Sequence, residues 1–362
     1  MLTVVGIGTV GAVVARNRDV GLSRAPSMLA TSGLFNDARP GQPGDLVITG
    51  VRGTTADEAL LQRIRSGEVA GVILMGNNIR SRAQTITLTR TLQAAAQTSG
   101  SGLPLLIAVD QEGGLVRRFT WLPPVASART MASWSNARIR RTGRATAQAL
   151  RSVGVNVDLA PVADVPTTST NFLRSRAFSR NRTRVAVAAC AFSRGLRDGG
   201  VVSALKHFPG LGGAGTANTD LSVTRIRLSV TRLRQDTGAY TRCGDEPGTL
   251  TMMSHAIYPA LTNRTPAVLS PAAYAMARTV GEPGPFITDS LDARGLAGQR
   301  NVATRAINAG SSLLLYVDPA SAAAGYRELV SATTRGALTE ATLTARAVQV
   351  RQLRRIIRAS GP

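Results

Sequence analysis

Residues 184–210 read RVAVAACAFSRGLRDGGVVSALKHFPG. A segment of helical period over 184–199 is followed directly by a short apolar run over 201–208. The run ends in the polar pair Lys206-His207. A helix that leads into a buried strand in this way is typical of parallel sheets, because crossover helices connect their strands.

The same alternation extends in both directions over the rest of the chain after residue 44. Short apolar runs predict eight strands, at 45–50, 71–75, 104–110, 155–162, 201–208, 249–255, 285–291 and 311–317. Segments in which apolar residues recur at helical spacing predict helices at 56–66, 81–98, 137–153, 184–199, 228–240, 270–280, 301–309, 319–332 and 339–359. Eight such β/α units predict closure into a (β/α)8 TIM-type barrel, since closure removes the exposed sheet edges.

An open, doubly wound sheet is the alternative architecture. Its dinucleotide-binding form needs a glycine-rich turn after the first strand, and Gly50-Val51-Arg52-Gly53 lacks the third glycine. No low-complexity linker follows residue 45. We therefore expect a single barrel domain over residues 45–362, preceded by a leader or poorly structured segment over 1–44.

The composition supports a sizeable core, with 43% hydrophobic and 18% charged residues, and it excludes some classes of partner. The net charge of +22 comes from arginines spread along the whole chain, because Lys206 is the only lysine. Nucleic-acid-binding proteins usually concentrate such charge and add aromatic residues, which are only 4% here. We expect no specific nucleic-acid binding, although anionic surfaces would attract the chain non-specifically.

The cysteines and histidines are too few for a metal centre of familiar spacing. Cys190 and Cys243 do not make a disulfide framework, and they are compatible with two buried thiols or with one bridge. With only two histidines, we expect no metal site and no cofactor. The apolar start, residues 1–14, lacks a positive leading region and is too short to span a membrane.

Polar residues follow several predicted strands where each one ends. They are Asp110, Lys206 with His207, His255 and Asp289, so the only lysine and both histidines lie at two strand ends. The chemistry of a barrel enzyme lies at this face. Carboxylates, cations and imidazoles without a phosphate-binding loop suit a polyhydroxylated substrate, such as a sugar.

Asp289 is the strongest single candidate among these residues. It follows Phe286-Ile287-Thr288 and so emerges from an apolar strand, where a carboxylate without a partner is costly. A lysine or arginine from a neighbouring strand end would keep it ionised. Asp158 and Asp164 are at least as well explained as turn formers or helix N-caps.

Several segments, in family order, are similar to motifs of glycoside hydrolase family 3, and most closely to its single-domain bacterial β-N-acetylhexosaminidases of cell-wall recycling. These segments are residues 109–114 together with 117–119, and residues 156–165, 206–210, 253–259 and 286–291. The resemblance implies a retaining exo-glycosidase that releases terminal β-linked sugars, mainly N-acetylglucosamine, through a glycosyl-enzyme intermediate.

The resemblance also implies roles for individual residues. Asp289 would be the nucleophile and His255 would line the pocket. The sugar unit next to the reacting bond would be bound by five residues: Asp110, Arg118, Arg176, Lys206 and His207.

One motif departs from the family. The hexosaminidase branch carries its general acid/base as a histidine in an Asp-Ser-His motif after the fifth strand, and the loop 210–222 has no histidine. The nearest match is Asn218-Thr219-Asp220, which makes Asp220 the second catalytic candidate. Because this histidine is missing, a second possibility stays open: a barrel of the same family that binds carbohydrate but hydrolyses it weakly or not at all.

A further alternative is a barrel enzyme that uses Lys206 to form a Schiff base with a carbonyl substrate. For the glycosidase, we expect a peptidoglycan-derived or other β-linked substrate and a monomer. The apolar start and the cell-wall analogy favour export or envelope association over a cytoplasmic location.

Overall fold

Eight parallel strands form the centre of the protein, in a computed structural model that describes residues 39–282 and 284–359. The strands are β1 (Val47–Gly50), β2 (Gly71–Leu74), β3 (Leu106–Val109), β4 (Val157–Asp158), β5 (Val202–Phe208), β6 (Thr249–Met253), β7 (Phe286–Thr288) and β8 (Leu314–Leu315). Each lies inside one of the eight apolar runs, so the strand prediction is confirmed.

The order of the strands is that of a closed barrel. Each strand pairs in parallel with the next one in the chain, from β1 to β7, and β8 pairs with β1 through Val47 and Leu314. A parallel bridge between Ile287 and Leu313 joins the last two strands. The expected (β/α)8 barrel is therefore confirmed, and the open doubly wound sheet is wrong.

Helices lie between successive strands and cover the barrel. Their bounds are α1 (Glu58–Arg65), α2 (Arg82–Gln97), α3 (Ala128–Met131), α4 (Asn136–Arg151), α5 (Arg182–Asp198), α6 (Val230–Asp236), α7 (Gly238–Cys243), α8 (Pro259–Thr262), α9 (Pro271–Thr279), α10 (Val302–Ala309), α11 (Pro319–Thr334) and α12 (Glu340–Ala359). The predicted helix 228–240 is divided into α6 and α7, with Thr237 between them.

Side-chain caps explain why many of these helices begin where they do. The residue before the first helical position accepts a hydrogen bond from a free backbone N–H, which supplies a partner that the first turn lacks. The caps of α1, α2, α4, α5, α6 and α11 are, in that order, Asp57, Ser81, Ser135, Asn181, Ser229 and Asp318.

The chain before β1 is bound to the last helix. Arg351 on α12 donates to the backbone oxygens of Arg39 and Pro40 and pairs with Asp45 at 2.6 Å. Most of the expected leader, residues 1–38, lies outside the described residues. Residues 39–44 contact α12 and so pack on the barrel.

A disulfide joins Cys190 on α5 to Cys243 on α7. Both cysteines are fully buried; α5 packs beside β5, and α7 reaches the same strand through the ring contact of Tyr240 with Phe208. Of the two possibilities that the sequence left open, the structure shows the bridge. Among the described helices, none combines the length and the apolar character that crossing a bilayer requires.

Candidate active site

A cavity of about 810 Å³ opens at the carboxyl ends of the strands. Residues from the end of every barrel strand contribute to its wall, as expected for the functional face of this architecture. Seven of the eight predicted site residues line it: Asp110, Arg118, Arg176, Lys206, His207, Asp220 and Asp289. The eighth, His255, is 1% exposed and lies next to Asp289.

One side of the cavity is a group of paired charges, which we call the ion-pair cluster: Asp110, Glu112, Arg118, Arg176 and Lys206. Lys206 Nζ lies 2.7 Å from Asp110 Oδ1 and 2.8 Å from Glu112 Oε1. Arg118 contacts Asp110 at 3.2 Å. Arg176 binds Glu112 through two hydrogen bonds, of 2.9 and 2.7 Å, and so is held in a fixed plane.

The pairing keeps these groups ionised although they are buried. Burial opposes the charge on Glu112, but Lys206 and Arg176 outweigh it and lower the pKa of its carboxyl to about 2. Burial likewise opposes the charge on Lys206, while Asp110 and Glu112 hold its pKa above the ordinary value. An ammonium held in this way is no free amine, so the structure gives no support to a Schiff base at Lys206.

The segment after β3 forms a short hairpin that brings Arg118 back to Asp110. Gln111 secures it, because its side-chain amide donates to three backbone oxygens, the nearest being those of Phe119 and Pro123 at 3.1 Å. Its Oε1 accepts from Phe119 N–H at 3.0 Å. The motif at 110–119 therefore acts locally, by folding two sugar-binding candidates onto one side of the cavity.

His207 is oriented by a carboxylate beneath it. Its Nδ1 lies 2.7 Å from Asp164 Oδ2, and Asp164 Oδ1 accepts from Leu211 N–H at 2.6 Å. Asp158 lies inside β4, where burial raises the pKa of its carboxyl well above the ordinary value. Neither aspartate caps a described helix. Of the two alternatives, turn former or N-cap, Asp164 is closer to the first, because its Oδ1 accepts from the backbone N–H groups of His207 and Leu211.

The other side of the cavity holds three groups that we call the carboxylate–imidazole cluster: Asp220, His255 and Asp289. One oxygen of each carboxylate and one ring nitrogen of His255 all lie within 4.8 Å of one another. His255 Nδ1 is 3.9 Å from Asp289 Oδ2. This cluster brings the two predicted catalytic carboxylates face to face.

Asp289 is held as a carboxylate at the end of β7. Its backbone N–H donates to Met253 O, and its Oδ1 accepts from Ser290 N–H at 2.9 Å. Burial opposes its ionisation, but His255, His207 and the Ser290 hydrogen bond outweigh this and lower its pKa. Lys206 lowers the pKa in the same direction, as the sequence suggested for a nearby lysine, but less than the two imidazoles do.

Asp220 is brought to Asp289 by the loop after β5. Asn218 Oδ1 accepts from Asp220 N–H, and Asp220 O accepts from Arg294 N–H on the loop after β7. Gly295 allows this approach, since a Cβ there would overlap Thr219 O. Burial, together with the charge of Asp289, raises the pKa of Asp220.

Two further residues of the site were present in the quoted motifs but were not chosen as candidates. Glu112 binds both Lys206 and Arg176, and Asp164 orients His207. Asp110 and Asp289 were identified because each lies at the end of a strand. Glu112 and Asp164 instead act through other side chains. Glu112 and Asp164 could have been recognised only from their contacts with a cationic residue or a histidine of another segment, and those contacts are not visible in the sequence.

Comparisons with known proteins agree on one family. Residues 44–353 match the model of the glycosyl hydrolase family 3 N-terminal domain. A secreted glycosyl hydrolase of Arthroderma benhamiae is 34% identical over 76% of this chain and 80% of its own length. A β-hexosaminidase of Bordetella pertussis is 30% identical over 78% of this chain and 82% of its own length.

Solved structures give the same result. A β-N-acetylhexosaminidase from Beutenbergia cavernae has a TM-score of 0.78 and 27% identity, covering 88% of this chain and 97% of its own. A family 3 β-N-acetylglucosaminidase from Paenibacillus has a TM-score of 0.80 and 26% identity over 87% of this chain. The match spans only 62% of the Paenibacillus chain.

Proposed function

The chain belongs to glycosyl hydrolase family 3 and is a glycosidase, and we propose that it releases terminal β-linked N-acetylglucosamine with retention of configuration. The observation that carries the proposal is the facing pair Asp220 and Asp289, whose carboxylate oxygens approach within 4.8 Å. Retaining enzymes hold their two carboxyl groups about 5–5.5 Å apart, and inverting enzymes about 6.5–9.5 Å apart.

The pKa values of the two carboxyl groups are shifted in opposite directions, in the sense that the reaction requires. Asp289, with a lowered pKa, is the carboxylate that attacks C1 and forms the glycosyl-enzyme bond. Asp220, with a raised pKa, donates its proton to the leaving oxygen. In the second step Asp220 takes a proton from water, which attacks C1 and releases Asp289.

The ion-pair cluster holds the sugar beside this pair. Its carboxylates accept from sugar hydroxyls, and Arg118 and Lys206 donate to them through charge-assisted hydrogen bonds. His207, fixed by Asp164, adds a further ring nitrogen to the wall. The preference for N-acetylglucosamine follows the β-hexosaminidase and β-N-acetylglucosaminidase names of the similar proteins.

We also propose that the protein acts outside the cytoplasm, on peptidoglycan-derived or other β-linked glycosides. One relative is named as secreted, and the buried disulfide between Cys190 and Cys243 fits an oxidising compartment. Residues 1–38 would then be the leader of a monomeric enzyme, since residues 39–44 pack on the barrel.

Aryl β-glycosides of N-acetylglucosamine, glucose and xylose test the proposal. We expect hydrolysis of the N-acetylglucosaminide to be fastest, and Asp289→Ala to lower kcat on the order of 10⁴-fold with every leaving group. Asp220→Ala should lose about 10²–10⁴-fold with a poor leaving group and far less with an activated one.

Asp318→Asn is the matched control. Asp318 lies at the cavity wall and caps α11, a position that asparagine fills equally well, so its activity should stay near that of the wild type. Wild-type turnover by Asp289→Ala would contradict the nucleophile assignment. Sugar binding without any hydrolysis by the wild type would support the carbohydrate-binding alternative instead.

A further inference from the structure

Exposed apolar side chains are concentrated on two loops at the mouth of the cavity. Seven large apolar side chains of the described residues are exposed, and five of them lie on the loop after β3 or on the loop after β5. We call these five the apolar rim: Leu115, Trp121, Val125, Leu221 and Val223. We propose that the apolar rim, with the arginines beside it, is a docking surface for an anionic lipid bilayer.

Both loops border the same opening. Val116 of the first loop and Asp220 of the second line the cavity. Leu115 and Leu221 are their direct neighbours in the chain, and both side chains face solvent. The rim therefore belongs to one face of the barrel, the one at which the strands end.

The loop after β3 carries the most exposed members of the rim. Leu115 lies in the turn of the hairpin and is 86% exposed, and Val125 is 73% exposed. Gly114 N–H donates to Val125 O at 3.2 Å, which holds the two stretches of the loop together. Trp121 packs against Phe119 with ring centroids 5.6 Å apart, but 42% of it stays exposed. Large apolar side chains exposed together mark a surface that another apolar phase covers.

The loop after β5 combines apolar and basic side chains on one exposed side. From residue 223 onward exposed and buried positions alternate, with Val223, Arg225 and Arg227 exposed and Thr224 and Ile226 buried. Two backbone hydrogen bonds, of 2.8 and 2.9 Å, hold this stretch against the segment after β6. Because side chains alternate in an extended chain, the two arginines face the same side as Val223.

The charges around the rim select an anionic partner. Residues 113–129 and 221–229 contain five arginines and no aspartate or glutamate. Among the described residues, only Arg118 of these five is paired with a carboxylate. A second copy of the chain would be repelled, since each copy carries a net charge of +22.

The apolar side chains favour a bilayer over a dissolved anionic polymer. A charged polymer in water attracts arginines but offers no apolar phase that could cover leucine, valine and tryptophan. A bilayer supplies both, because anionic headgroups attract arginine and the interface accommodates tryptophan and leucine. Side chains at loop tips need to enter only the outermost ~5–10 Å of the bilayer, so docking requires no spanning helix.

Co-sedimentation of the full chain with lipid vesicles tests the surface. We expect binding to vesicles of phosphatidylglycerol and phosphatidylcholine in equal parts, and much weaker binding to phosphatidylcholine alone. Leu115→Ser/Val125→Ser should weaken the binding at least about tenfold, because two apolar side chains no longer leave water. Arg225→Gln should weaken it roughly fivefold, and added salt should weaken it further.

Two substitutions on α11 are matched controls. Val330 is 40% exposed, as Val223 is, and Arg327 is exposed, but both lie on a helix outside the two loops. Val330→Ser and Arg327→Gln make the same kinds of change as the rim variants, so both should bind vesicles as the wild type does. All these variants should hydrolyse a soluble aryl glycoside at the wild-type rate, which shows that they fold.

The outcomes distinguish a bilayer from other partners. Failure to bind anionic vesicles, or equal binding by the wild type and the Leu115→Ser/Val125→Ser variant, overturns the proposal. Binding that depends on Arg225 but not on the apolar rim would be attraction to any anionic polymer, and it overturns the bilayer as well. A dimer that the same double variant dissociates, without vesicle binding, would assign the rim to a second copy.

Vesicle binding needs no hydrolysis, so its result is independent of the proposed function. A chain that binds anionic vesicles through the rim but hydrolyses no glycoside would contradict the proposed hydrolysis alone.

Discussion

Within the ion-pair cluster, Lys206 and Arg176 each lie within 2.9 Å of a carboxylate oxygen, whereas in the carboxylate–imidazole cluster His255 stands 3.9 Å from Asp289. Each cation of the first group already has a carboxylate partner, although Arg118 Nε has no hydrogen-bond partner among the described residues. The second brings two carboxylates together, and neither ring nitrogen of His255 has a hydrogen-bond partner in the part of the chain that the structure describes.

The difference separates holding a substrate from transforming it. A site that binds sugar benefits from side chains that are fixed before the substrate arrives, because less freedom is then lost on binding. A site that forms bonds needs atoms that are still free to react. The unsatisfied cluster is thus a local cost in stability that serves the chemistry.

Breaking the ion-pair cluster should have the largest effect on stability. Lys206→Met leaves Asp110 and Glu112 facing each other without their shared cation, so we expect the free energy of unfolding to fall by about 3–5 kcal/mol. Urea denaturation measures this loss. Arg140→Met, which removes an exposed pair with Asp198, should cost at most about 1 kcal/mol; equal losses in the two variants would refute the contrast.

The same cluster should make the protein sensitive to acid. The pKa of Glu112 is lowered to about 2 from 4.5, so its pairing stabilises the fold above pH 4.5 and is lost as the pH falls toward 2. This contribution amounts to roughly 3 kcal/mol. Glu112→Gln should therefore be less stable than the wild type at pH 7, with a difference that shrinks toward pH 2.

Urea unfolding at a series of pH values measures that difference. A gap between wild type and Glu112→Gln that stays constant from pH 7 to pH 2 would show that the ionised pair contributes nothing. Glu340→Gln, which removes an exposed carboxylate on α12, is a control for the general effect of removing a carboxylate.

The carboxylate–imidazole cluster should instead determine how activity depends on pH. Activity should fall at low pH as Asp289 is protonated below its lowered pKa, and at higher pH as Asp220 loses its proton above its raised pKa. With an activated aryl substrate, Asp220→Asn should lose the high-pH decline and keep the low-pH one. Profiles of kcat/KM measure both limbs, and an unchanged high-pH limb would exclude Asp220 as the acid.

Much of the site could be predicted because chemistry in a barrel follows strand ends. Asp110, Lys206 and Asp289 each follow or end an apolar run, so counting the runs was enough to place them at one face. Glu112 and Asp164 could not be predicted in this way. Their function depends on Arg176 and His207, which come from other segments of the chain.

The structure adds the burial of His255 to what the sequence could give. The resemblance implied that His255 lines the pocket, and the structure places its buried ring next to Asp289. Burial of a residue at a strand end depends on which neighbouring loops cover it. Here the loops after β5 and β7 approach each other at Thr219 and Gly295, beside His255.

The sequence by itself determined the eight strands, their helices and the polar residues at their ends, because hydrophobic period is a local property. Only the tertiary structure decided which charges meet. Lys206 and Asp110 are 96 residues apart, and Asp220 reaches Asp289 through a loop held by Arg294. Such contacts follow from closure of the barrel and from the course of its loops, and no local pattern carries that information.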